Sequence, residues 1–211
     1  MRIFKTILLT ATILSPVIAH SEDNRDETII VTASRGETPL SQVGQSVTVI
    51  TADDIETKQA VDVVDLLRNV PGVTFSRNGG LGTTTSVNIR GADSDQTVAL
   101  IDGVKINDPS SPGSGFNFGN LLTGNISRIE VVRGSQSVLW GSQAIGGVVN
   151  IITREPTKDL TVNANSEYGW RDTGHAVANA SGQFGPVSAS VGAGYHRSDS
   201  FSTFNEARGG T

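Results

Sequence analysis

After Pro156 the chain settles into two-residue alternation, a pattern that few architectures can use. Leu160, Val162, Ala164, Tyr168 and Trp170 are apolar, and Thr161, Asn163, Asn165 and Glu167 between them are polar. The phase continues through Ala176, Ala178, Ala180 and Phe184, interleaved with His175, Asn179, Ser181 and Gln183; Val177 is the exception. A Gly185-Pro186 turn signal then inverts the parity, setting Val187, Ala189, Val191, Ala193 and Tyr195 against Ser188, Ser190, Gly192, Gly194 and His196. Such alternation predicts strands of roughly ten to twelve residues with one apolar and one polar face. A soluble antiparallel sheet would alternate in the same way. Small residues along the strand with aromatics toward its ends instead suit the wall of an outer-membrane barrel, with Tyr168, Trp170 and Tyr195 at the outer rim and Phe184 at the inner rim. Residues 158–211 supply only about three or four strands against the eight or more a barrel needs. The sequence therefore reads as a fragment of a longer protein or the product of a truncated gene.

The other end of the chain fits that destination. Residues 1–19 combine a short basic head, "MRIFK", with an apolar run ending in small residues, the pattern of a cleaved secretory signal. A membrane anchor is the alternative, but the run is short and contains Pro16. Cleavage is expected after Ala19, or alternatively at Ala19-His20-Ser21. The chain has no cysteine, which removes disulfides and thiolate metal sites from consideration. A net charge of −5 and the lack of a Lys/Arg run after the signal argue against a nucleic-acid partner.

Between these ends, residues 39–155 read as a compact α+β domain. Thr51 can cap a helix in "ADDIETKQ", and Asp62 can cap a second helix in which Val63, Leu66, Leu67 and Val70 share a face before Pro71-Gly72 stops it. Strands are predicted over 45–50, 73–76, 85–90, 97–102, 127–133 and 146–153, with long polar loops at 77–84 and 105–120. A loop as long as the second tends to be functional or disordered, and function is the reading adopted. In the linker 20–38, the stretch 27–34, "ETIIVTAS", has strand character but charged and loop-like neighbours, so no pairing partner is visible for it.

The ordered segments "ETIIVTAS", "VVDLLRNVPGV", "VNIRG", "VALIDGV" and "ISRIEVVRGSQSVLWGSQAIGGVVNIITR" together resemble the N-terminal part of TonB-dependent outer-membrane receptors, nearest the cobalamin receptors among them. The likeness runs from about Asp26 to the chain end. It implies an α+β plug domain with a mixed sheet, lodged in an antiparallel transmembrane β-barrel of about 22 strands. It also implies energy-coupled uptake of a scarce large ligand across the cell outer membrane, driven by TonB with ExbB and ExbD. The ligand expected first is cobalamin, with a ferric siderophore or haem as alternatives. On this resemblance Glu27, Thr28, Ile29, Ile30, Val31, Thr32, Ala33 and Ser34 form the TonB box, whose bare backbone would complete the edge of a TonB sheet by strand addition. The alternative is an edge strand of the plug.

Other residues take expected roles from the same resemblance. Arg90 and Arg133 match plug arginines that lock onto barrel carboxylates, for which a planar bidentate cation is suited. Ligand contacts fall on Thr84, Ser86, Asp93, Ser111 and Pro112, with Ser110, Ser114, Phe116 and Asn117 as further loop candidates. Only Ser86 keeps the cobalamin-receptor residue. Ser135 and Trp140 depart from the family's usual proline and tyrosine.

Several classes fall away. With no G-x-S-x-G, P-loop or strand-to-helix G-x-G-x-x-G, an enzyme is not expected. A signalling receptor would carry an extra domain ahead of the TonB box, where only about seven residues follow the cleavage site. Asp93 and Asp95 read as a solvated turn because no calcium-loop spacing follows. His175 and His196, far apart in sequence, read as lumen-facing polar residues, so neither a metal nor a cofactor is expected in this chain; calcium would belong to outer barrel loops beyond it. Outer-membrane lipid is the remaining partner.

Overall fold

The computed structural model describes residues 29, 30, 32, 36, 38–110, 112–156, 158–170 and 172–199. Its centre is a five-stranded mixed sheet built from β3 (Ser46–Thr51), β6 (Thr97–Ile101), β7 (Val104–Lys105), β8 (Ile126–Arg133) and β9 (Gly147–Thr153), in the spatial order β3-β8-β9-β6-β7. All pairings are antiparallel except β6 with β9. Because side chains alternate across a strand, the apolar runs of β8 and β9 fill both faces. Ile129, Val131, Val149 and Ile151 join the larger core with the helices, while Val98, Leu100 and Val148 pack with Ala144 and Trp140 on the other side.

Two helices cover the first face for reasons legible in their first turns. In α1 (Ala52–Lys58), the Thr51 hydroxyl accepts from the Asp54 backbone N–H and the Asp54 carboxylate accepts from that of Thr51, a complete capping box. The Thr51 backbone N–H, then its hydroxyl, hold the Asp54 carboxyl below the ordinary carboxylate range. In α2 (Val63–Leu67), Asp62 Oδ1 accepts from Asp65 N at 2.7 Å while Oδ2 meets Arg77, so the fully buried carboxylate is paired twice. Val63, Val64, Leu66 and Leu67 are all fully buried.

Two strand pairings and one helix differ from the sequence expectation. β4 (Val73–Arg77) and β5 (Thr85–Ile89) form a separate two-stranded ladder instead of entering the main sheet, bringing Val73, Val87 and Ile89 over the helix-side core. A short α3 (Ser137–Trp140) follows β8. The solitary strand does find a partner: β1 (Ile29–Ile30) pairs antiparallel with β2 (Thr38–Pro39). That ladder is two residues long and one member is proline, which has no N–H to donate.

The last three strands, β10 (Thr161–Gly169), β11 (Thr173–Phe184) and β12 (Val187–Arg197), form an antiparallel sheet whose faces follow the predicted alternation. Leu160, Val162, Tyr168, Trp170, Phe184, Val187, Val191 and Tyr195 are all exposed, as the parity requires of one outward face. The opposite face meets the plug. Val177 is buried, Asn179 Nδ2 donates to Gly124 O, and a Cβ added to Gly124 would collide with Val177 Cγ1. An apolar face turned outward and a polar face turned inward onto the plug is the arrangement of a barrel wall.

Neighbours Ser190 and Val191 test that orientation. Val191→Arg places a charge on the lipid face, costing ~2–4 kcal/mol near the midplane, and should sharply reduce heat-modifiable receptor in outer membranes. Ser190→Arg, on the inner face, should leave it close to wild type. Equal loss in both variants contradicts the assignment of faces.

Candidate functional site

Of the segment 27–34, Ile29, Ile30 and Thr32 fall among the described residues, and Glu27, Thr28, Val31, Ala33 and Ser34 lie outside them. Thr32 is fully buried against the second face of the main sheet, and all its polar atoms are engaged. Its N–H donates to Glu130 Oε2 at 3.0 Å, and its hydroxyl donates to the same oxygen. The hydroxyl accepts from Asn150 Nδ2 at 2.9 Å, and its carbonyl accepts from Trp140 Nε1 at 3.0 Å. Arg128 Nε completes the carboxylate at 2.9 Å from Oε1.

Glu130 and Asn150 are both fully buried, and they sit directly opposite each other on β8 and β9. A buried carboxylate stripped of its partners costs several kcal/mol, so the tether is part of what makes Glu130 tolerable in the sheet. Sequence reading missed Glu130 and Asn150. The signal was there: each interrupts an apolar run, in "RIEVV" and "VVNII". Trp140 was noted only as a departure from tyrosine; here its indole N–H is one of the four contacts on Thr32.

The described members of the expected ligand-contact set lie at and just beyond the ends of β5 and in the loop after β7. Thr84 is exposed at the foot of β5, Ser86 is half-buried opposite Ser76, and Asp93 is exposed just before a 3-10 turn at Ser94–Gln96. Pro112 opens another turn, Pro112–Ser114, and Ser111 lies outside the described residues. The 105–120 loop is not loose. Asn107 accepts from Ala99 N at 2.9 Å and donates to Thr97 O and Ser114 O, both at 3.1 Å. Asn117 Oδ1 accepts from Thr85 N and Gly119 N. A Cβ on Gly119 would collide with Thr83 O, and one on Gly113, whose φ is 76°, would lie 2.8 Å from Asp95 Oδ2. Phe116 is pinned edge-on against buried Phe118, centroids 4.9 Å apart. Asn117, although exposed, thus braces the backbone of β5 and of its own loop.

Arg90 and Arg133 converge on the Pro71-Gly72 turn. Arg133 donates from Nη1 to Pro71 O at 2.8 Å and from Nη2 to Thr48 Oγ1 at 3.0 Å. Arg90, held at φ 54°, donates its backbone N–H to Gly72 O, and its Nη1 lies 3.1 Å from where a Gly134 Cβ would stand. Among the described residues neither guanidinium has a carboxylate partner.

Residues 39–148 match the TonB-dependent Receptor Plug Domain family. The chain belongs to that family. This TonB-dependent receptor chain is 43% identical over 145 residues to the vitamin B12 transporter BtuB of Vibrio vulnificus (strain CMCP6), a stretch that is 68% of this chain and 23% of the relative. Its fold matches the ferripyoverdine receptor of the outer membrane of Pseudomonas aeruginosa at a TM-score of 0.68 and 22% identity, over 80% of this chain and 22% of that receptor. The siderophore receptor PiuA of Acinetobacter baumannii gives 0.65 at 24% identity, over 82% and 24%. Identities this low bear on the fold alone. The chain spans about a quarter of the length of these relatives. The family is one of TonB-dependent receptors. The matched plug segment contains Glu130 and Trp140, whereas Thr32 and Asn150 flank it.

Thr32→Val keeps the side-chain shape and deletes the hydroxyl, leaving Glu130 and Asn150 each one partner short at ~1–3 kcal/mol. Amide hydrogen exchange of the 29–32 backbone should accelerate about tenfold or more, measured by mass spectrometry on the receptor in detergent. An unchanged rate would show that the hydroxyl contributes nothing to docking.

Proposed function

We propose that this chain supplies the plug and first wall strands of an outer-membrane receptor for TonB-coupled uptake, and that its cargo is cobalamin. The observation that carries the reading is the docked tether: a two-residue ladder at Ile29–Ile30, followed at once by the buried Thr32 anchorage. Backbone held this sparingly can be exchanged onto the edge of another sheet, and main-chain hydrogen bonds would then carry the pull. On this reading residues 1–19 are the cleaved export signal and 20–38 the periplasmic tether. The partner is the periplasmic domain of TonB, energised with ExbB and ExbD. Pulling on Thr32 draws directly on β8 and β9 through Glu130 and Asn150.

Arg90 and Arg133 then form the releasable plug-to-barrel lock, with N–H groups beyond those Arg133 gives to Pro71 and Thr48 left for carboxylates of the wall. Thr84, Ser86, Asp93, Ser111 and Pro112 form the floor presented to the cargo. Cobalamin is favoured by the 43% identity to a vitamin B12 transporter, which exceeds the identity to the two siderophore receptors described above. A ferric siderophore or haem is the second reading, supported by the departures in the 105–120 loop.

Two measurements test this. Outer membranes containing the receptor should bind labelled cobalamin saturably and leave ferric chelates unbound; saturable ferric-chelate binding without cobalamin binding overturns the cargo. Ile30→Pro removes a backbone donor and fixes φ. It should retain cargo binding and abolish uptake, and uptake at the wild-type rate overturns the coupling role of the segment.

A further inference from the structure

β11 and β12 set two imidazoles side by side on the inner face of the wall. His175 is directly opposite His196 in the antiparallel register, and the ring centroids are 6.2 Å apart with their planes at 54°. Both share the face of Val177 and Asn179, which meets the plug. Glu167 on β10 is opposite His175 in turn, so a carboxylate and two imidazoles form one row across three strands. A cleft of about 630 Å³ between α1 and these strands opens beside the row, with Glu56, Arg154, Glu167 and His175 in its lining.

Nε2 of His175 and Nδ1 of His196 are shielded and have no hydrogen-bond partner, in each other or elsewhere among the described residues. A buried polar nitrogen left unpaired costs ~1–3 kcal/mol, and two in facing rings call for a common cause. A metal ion provides one, because each nitrogen can offer a lone pair to it. Coordination at ~2.1 Å from a nitrogen of each ring would hold the centroids roughly 5 to 6.5 Å apart, depending on the angle at the metal. The observed spacing falls within that range.

We propose that His175 and His196 bind a first-row divalent transition-metal ion of the Zn²⁺ or Cu²⁺ type on the inner wall of the barrel. Imidazole donors select such ions over Ca²⁺ and Mg²⁺, which take oxygen ligands. The described residues contain no ready cluster of three or more His, Cys, Asp or Glu groups. The two rings are therefore the protein's ligands, with Glu167 adding negative charge next in the row and the remaining coordination positions left to water. The site stands on the fold and register alone and does not depend on which cargo the receptor carries.

The test uses the intact receptor, purified from outer membranes without a histidine tag. Titration with Zn²⁺ should saturate a site whose affinity falls at least tenfold in His175→Gln and in His196→Gln, while excess Ca²⁺ leaves it filled. With one equivalent of Cu²⁺, electron paramagnetic resonance should show coupling to two imidazole nitrogens in the wild type and to fewer in either variant. Heat-modifiable migration checks that the variants fold. Lack of two-nitrogen coupling in the wild-type receptor, or Zn²⁺ affinity unaltered in both folded variants, overturns the proposal.

Discussion

A carboxylate is buried in the middle of the plug sheet, and the surrounding structure is organised around keeping it satisfied. Glu130 is fully buried on β8. It survives there because Arg128 takes one oxygen and Thr32 takes the other. Charge in a low-dielectric interior is tolerated only when such partners are in place. One of these partners comes not from the domain but from the tether, nearly a hundred residues earlier in the chain. The domain's own polar bookkeeping is thus completed by a segment that lies outside the matched plug region. Asn150 and Trp140 hold the same threonine from two further directions.

The two faces of the main sheet divide the labour. Helices α1 and α2 and the β4–β5 ladder seal one face with aliphatic side chains, giving a rigid base. The other face carries a small apolar cluster around Trp140 and Ala144 together with the Glu130–Asn150 pair, and there the tether docks. The wall strands approach from elsewhere, through Gly124 against Val177 and Asn179 against the Gly124 carbonyl. Docking of the tether and seating in the wall therefore rest on separate sets of contacts.

Local signals were readable from the sequence and non-local ones largely were not. Thr51 and Asp62 cap their helices as their positions predict, since capping involves residues three apart. The wall strands were equally plain, because alternation fixes which face each residue takes. Counting outward from the Gly185-Pro186 turn even puts His175 opposite His196, a juxtaposition hidden by their distance along the chain. By contrast, nothing in "VTFS" or "TSVNIR" says that they pair with each other and not with the main sheet, because a strand does not name its neighbour. The stretch 27–34 looked unpartnered because its partner, Thr38–Pro39, is too short and too proline-marked to read as a strand. Glu130 and Asn150 were passed over as polar residues in apolar runs, although a polar group at an inward position is itself the sign of a buried bond.

Pro39, opposite Ile29, has a consequence for the direction in which the tether can trade partners. A ladder lacking one of its donors is a poor competitor against any complete edge. An arriving strand could seat on Ile29 and Ile30 as a toehold and displace Thr38–Pro39 by offering a fuller set of bonds than it removes. Branch migration would then halt at Thr32, where further progress means breaking into the sheet itself. Under the proposed coupling, capture and extraction would be successive events, the first downhill by backbone count alone and the second dependent on force.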